Sequence, residues 1–163
     1  MSKCYRQVLF TFVILALLLN YDMIAVAQTP SGDESQARAY LQQKKFKVER
    51  VGELKDEDGT HLAFTTYKAE DGTLVNLIHG EFATAVEAQE FFEKEVTKAV
   101  RVIEKGNKTG QQKKIVGKRA EADFDSGRST GPLHAVLWTA GPDFFKLQST
   151  SLVDVTEFEK SMS

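Results

Sequence analysis

The sequence predicts an α+β fold: an antiparallel sheet of about six strands with helices packed on it. Three observations carry this. The tetrapeptide Glu-Asp-Gly-Thr occurs twice, at 57–60 and 70–73, between strand-like runs. Capping boxes open two amphipathic segments, at Thr84 and Ser151. Strand runs occur in groups with helices between the groups, the arrangement of α+β domains.

The first 27 residues stand apart from that fold. Lys3 and Arg6 precede the apolar run Val8 to Leu19, and Ala25-Val26-Ala27 supplies small residues for a peptidase. A positive start, an apolar core of about 7–15 residues and an A-x-A end mark a secretory signal. The expectation is a secreted or periplasmic protein cleaved after Ala27. The alternative is an uncleaved N-terminal anchor holding a structural envelope protein. A membrane span needs roughly 20 mostly apolar residues, and this stretch reaches that length only by taking in Asn20, Tyr21 and Asp22.

Cleavage removes Lys3, Arg6 and Asp22, so 21 basic and 23 acidic residues become 19 and 22, a net charge of −3. That balance implies no general attraction to nucleic acid or membrane. Cleavage also removes Cys4, the only cysteine. The mature chain then has no thiol for a disulfide, a zinc–thiolate site or a cysteine nucleophile. It must hold together by packing alone.

Residues 28–32 read as a flexible lead-in, and 33–163 as one domain. A short helix is expected over Asp33 to Lys44, with Ala37, Tyr40 and Leu41 on one face. Three strands follow, at Phe46 to Leu54, Leu62 to Ala69 and Leu74 to Phe82. Asp-Gly at the turn favours a two-residue hairpin loop. Such a loop places His79 opposite Phe64, with His61 on the other face; a three-residue loop reverses that parity.

The clearest helix begins at Thr84-Ala-Val-Glu87, a capping box. Ala85, Ala88, Phe92, Val96, Ala99 and Ile103 recur at steps of three and four, so the spacing carries the helix to a glycine cap at Gly106. Strands are then expected at Lys114 to Phe124, Leu133 to Thr139 and Phe144 to Ser149. Alternation turns Ala120, Ala122 and Phe124 inward and Glu121 and Asp123 to solvent. A last helix starts at Ser151, with Leu152, Val155 and Phe158 facing inward. The two helix starts align without gaps, and Val51-Gly52 matches Val116-Gly117, which gives the order of two βββα units. Duplication is one reading; independent use of one capping rule is the other.

No motif specifies a reaction. His61, His79 and His134 read as strand histidines, and neither metal nor cofactor is expected. No G-x-S-x-G elbow occurs, and Ser126, Ser129 and Thr130 sit in a polar break suited to turns. Trp138 reads as core, and Phe144-Phe145 as a pair with one ring on each face, one of them a candidate apolar binding edge. Asn107-Lys108-Thr109 has the form of a glycosylation sequon.

The most distinctive charged stretch is 105–119, with Lys105, Lys108, Lys113, Lys114, Lys118 and Arg119 and no acid. It lacks P-loop spacing and the interleaved aromatics that stack nucleic-acid bases. The bland reading is a solvated helix end, loop and edge strand, where lysines discourage edge pairing. The functional reading is a basic contact surface for an anionic polymer, a membrane surface or an acidic protein. The chain is therefore expected to be a non-catalytic binding or interaction module. The alternative is a small-ligand enzyme or hydrolase, with His61, His134 and nearby carboxylates assembled only in the fold.

Overall fold

A computed structural model describes residues 32–109, 114–127 and 131–162. The expected signal segment, residues 28–31 of the lead-in, Lys113, and Ser129 and Thr130 lie outside the described residues. In chain order the elements are α1 (Gly32–Lys44), β1 (Lys47–Lys55), β2 (His61–Lys68), β3 (Leu74–Glu81), α2 (Ala85–Thr97), β4 (Arg101–Thr109), β5 (Ile115–Phe124), β6 (Leu133–Ala140), β7 (Asp143–Ser149) and α3 (Leu152–Ser161). The strands form one antiparallel sheet in the order β1-β2-β3-β7-β6-β5-β4. This is the α+β architecture read from the sequence, with seven strands.

The additional strand is β4. The helical spacing that reaches Ile103 in sequence stops at Thr97, where Lys98 caps α2 through bonds to the carbonyls of Glu95 and Val96. Val100, Val102 and Ile103 are β-branched and lose side-chain freedom in a helix. Extended backbone suits them better, and the Val100 N–H donates to the Asp123 carbonyl at 2.8 Å to start the new strand. Gly106 therefore lies mid-strand and caps nothing.

Both Glu-Asp-Gly-Thr segments form the same loop, one residue longer than the Asp-Gly pair suggests. Asp56 closes on Thr60 at 2.9 Å, and Ala69 on Thr73 at 2.9 Å, leaving three residues in each loop. Only the glycines take positive φ, +87° at both Gly59 and Gly72, as a type I turn followed by a left-handed residue requires. Asp58 and Asp71 each accept from the backbone N–H two residues on. The extra residue shifts the register, so His79 lies opposite Ala63 and Ile78 opposite Phe64. This corrects the two-residue expectation and puts His79 on the same face as His61.

Both faces of the sheet are covered. α2 sets Phe91, Phe92 and Val96 against Ala120, Ala122, Leu137 and Phe144. On the opposite face α3 sets Val155 and Phe158 against Val136, Trp138, Leu147 and Tyr67. α1 lies against α3, where the Tyr40 hydroxyl donates to Asp154 at 2.8 Å. Both caps form as read: Thr84 Oγ1 accepts from Glu87 N, and Ser151 Oγ accepts from Asp154 N. β3 and β7 are antiparallel neighbours at the sheet centre. A two-fold rotation relating them would leave α2 and α3 on one face. Since the helices take opposite faces, the likeness of their starts is not carried into the packing.

Phe144 and Phe145 do point to opposite faces, but neither forms an apolar edge. Phe144 is fully buried against Phe91. Phe145 stacks between Trp138 at 5.0 Å and His79 at 4.7 Å. Trp138 is core, as expected. Asp123 reverses its expected exposure: it is buried and bonded to Arg101 and His134.

Candidate functional site

The described residues of the basic segment, 105–109 and 114–119, lie on or beside the paired strands β4 and β5 and not at a helix end. Among the described residues β4 ends the sheet and has β5 as its one neighbouring strand. Lys105 lies opposite Ala120, Gly106 opposite Arg119, Asn107 opposite Lys118 and Lys108 opposite Gly117. Strand alternation then sends the cations to two different faces, and their surroundings divide them.

Two of the six belong to the packing. Arg119 donates through Nε and Nη2 to Glu159 of α3, both at 2.8 Å, and through Nη1 to Glu104 at 3.1 Å. Lys108 donates to the same Glu159 at 2.8 Å and lies 5.2 Å from the Trp138 ring centre. The Glu159 side chain is only 6% exposed. Burial pushes its carboxyl up, but the bonds from Arg119 and Lys108 outweigh that and hold it below the usual glutamate range. These cations fasten α3 to the sheet.

Three of the others are among the described residues and lie toward the surface. Lys105 is exposed and pairs with Glu93 of α2. Lys114 is exposed, and Lys118 is half-buried with its ammonium 3.3 Å from Asn107 Oδ1. Arg101, which lies before the segment singled out in sequence, joins this edge with its side chain 69% exposed while it holds Asp123. Burial pushes Asp123 up, and His134 and Arg101 more than offset it, leaving the carboxyl below its ordinary value.

An apolar component accompanies the charge. Val100, Val102, Ile103, Ile115 and Val116 are all exposed along the same hairpin and its approach. Assigning Val102 and Ile103 to a helix hides this in the sequence; the β-branched run Val100 to Ile103 is the signal that reveals it. Asn107 of the sequon is exposed on β4.

Of the histidines, His134 reaches this edge only through Asp123, and His61 and His79 lie elsewhere. His134 Nδ1 is 2.7 Å from Asp123 Oδ1, His79 Nε2 is 2.9 Å from Asp143 Oδ1, and His61 is exposed. Among the described residues no three histidine, cysteine or acidic side chains gather as a metal-holding group. An open depression of about 280 Å³ lies near the start of β1, lined by Lys45, Lys47, Glu49, Lys68 and Glu70 among others. Four of its five charged side chains form two ion pairs, Lys68 with Glu49 at 2.9 Å and Lys45 with Glu70 at 3.1 Å. A second buried pair, Lys146 and Glu95 at 3.1 Å, joins β7 to α2 beneath the Phe124 ring. Burial pushes the Lys146 ammonium below its usual value.

Comparison with protein-family models, with curated proteins and with solved structures finds no match to this chain.

Proposed function

We propose that this chain is an exported binding module that contacts an anionic partner through the β4–β5 hairpin. The observation that supports this best is the placement of the basic segment. Eight of the nine β4 residues are exposed, and Arg101, Lys105, Lys114 and Lys118 lie along that edge beside exposed valine and isoleucine. A surface that mixes cations with apolar side chains attracts an anion over distance and holds it by local contact.

Retention on immobilised heparin, read as the salt needed for elution, tests the proposal. Lys108 is a poor probe, because its removal disturbs the Glu159 anchor. Lys113→Gln, Lys114→Gln and Lys118→Gln together leave that anchor in place. An exposed ion pair is worth about 0.2–1 kcal/mol, so the triple variant is expected to bind about tenfold more weakly. Unchanged elution would remove the support for this surface.

Export rests on the N-terminal pattern and has its own test. Intact mass of the protein recovered after export is expected to match a chain beginning at Gln28. A mass that retains residues 1–27 would instead favour the anchored envelope protein.

A further inference from the structure

We infer that the partner is an extended acidic segment of another protein, which adds to the sheet as an eighth strand along β4. This rests on the hairpin being the contact surface and goes further by specifying how the contact is made.

An edge strand presents unpaired backbone N–H and C=O groups along its outer side, and an extended peptide can satisfy them by strand addition. β4 is such an edge, and its rungs to β5 run without interruption from Glu104 to Lys108. Irregularities fall only at the two ends of that run, between Val102 and Glu104 and between Lys108 and Thr109.

Gly106 sits in the middle. Its φ is not positive, and a β-carbon built there would meet nothing within 4 Å. Among the described residues neither a turn nor a crowded neighbour explains a glycine at that position. Glycine carries no side chain to pack, so the edge backbone at Gly106 is left unshielded.

Charge selects the occupant. Lys108 is taken up by Glu159, but Arg101 and Lys105 on β4, with Lys114 and Lys118 on β5 and its approach, outnumber the single β4 acid Glu104. A second copy of this edge would set like charges against each other. Opposite charges facing across neighbouring strands are favourable, and like charges are not. Aspartate or glutamate alternating with β-branched residues fits both the cations and the exposed Val102 and Ile103. The other edge differs: β1 alternates Lys47, Glu49, Arg50, Glu53 and Lys55, with no strong excess of one sign.

The test uses the processed protein and a fluorescent ten-residue peptide alternating aspartate and valine, followed by anisotropy. Two further peptides carry backbone N-methyl groups at all even or at all odd positions, with charge unchanged. Strand addition turns alternate peptide N–H groups toward β4. One methylated peptide is therefore expected to lose at least tenfold in affinity while the other binds like the parent. Equal binding by all three would overturn strand addition and leave an electrostatic contact. Binding to heparin or to anionic phosphatidylserine vesicles with none to the peptide would overturn the inference and leave the anionic-surface reading intact. If Lys→Gln substitution at 113, 114 and 118 changed none of these interactions, both would fall.

Discussion

Glu159→Gln is expected to destabilise the domain by about 3 kcal/mol, at the lower end of the cost of breaking a buried ion pair. The carboxylate receives three bonds of 2.8 Å, two from Arg119 and one from Lys108. Glutamine keeps the shape but leaves two cations facing a neutral group. Urea unfolding measures this as a lower midpoint with an unchanged slope. The variant also carries a pH signature. The folded-state pKa of Glu159 lies below its unfolded value of about 4.3. The stability it contributes is thus fully present above that pH and is lost as pH falls through the folded value. The gap between wild type and variant should be widest near neutrality and should close on acidification below about pH 4. A gap independent of pH would show that Glu159 acts by shape and not by charge.

Gly117→Ala is expected to cost at least as much, for a steric reason. A β-carbon at Gly117 would lie 1.9 Å from the Thr139 carbonyl oxygen and 2.6 Å from its Oγ1. Both belong to a buried central strand, and Thr139 Oγ1 also accepts from Lys118 N at 2.9 Å. Backbone cannot rotate away, so β5 and β6 must separate. Overpacking of this kind costs about 1–3 kcal/mol or more, and a fall in Tm of roughly 10 °C is the expected reading. Gly52, its counterpart in the repeated Val-Gly pair, is the informative comparison. A β-carbon there meets the Phe64 ring at 2.6 Å. A half-buried ring on a flexible side chain can move, so Gly52→Ala should be the milder change. Equal losses would mean that the approach of β5 to β6 is not the cause.

What the sequence conveyed was local. Thr84 and Ser151 cap helices because a hydroxyl bonding an orphan amide needs only nearby residues. Strand alternation predicted the inward Ala120, Ala122 and Phe124. The errors arose where two local rules competed. Ile103 fits helical spacing and β-branched preference alike, and the bond from Val100 to Asp123, 23 residues away, decides for the strand. In the hairpins, Asp-Gly suits a two-residue loop as well as a three-residue one, and closure by Asp56–Thr60 and Ala69–Thr73 selects the longer. The fate of the basic segment was hidden for a third reason. Arg119 and Lys108 look like solvent-facing charges until α3, more than 30 residues later, brings Glu159 against them. The candidate surface therefore moved outward, to Lys105, Lys114, Lys118 and Arg101, and gained apolar neighbours.

The claim that this edge carries the protein's contact is tested most directly by two charge-matched variants on immobilised heparin. One replaces Lys113, Lys114 and Lys118 by glutamine at the β4–β5 hairpin. The other replaces Lys47, Lys55 and Lys68 at the opposite edge, two of which line the open depression beside β1. Each removes three positive charges, so a general charge effect would move both equally. Hairpin recognition predicts elution at clearly lower salt for the first variant and near-wild-type elution for the second. Equal shifts, or the larger shift from the β1 edge, would contradict it.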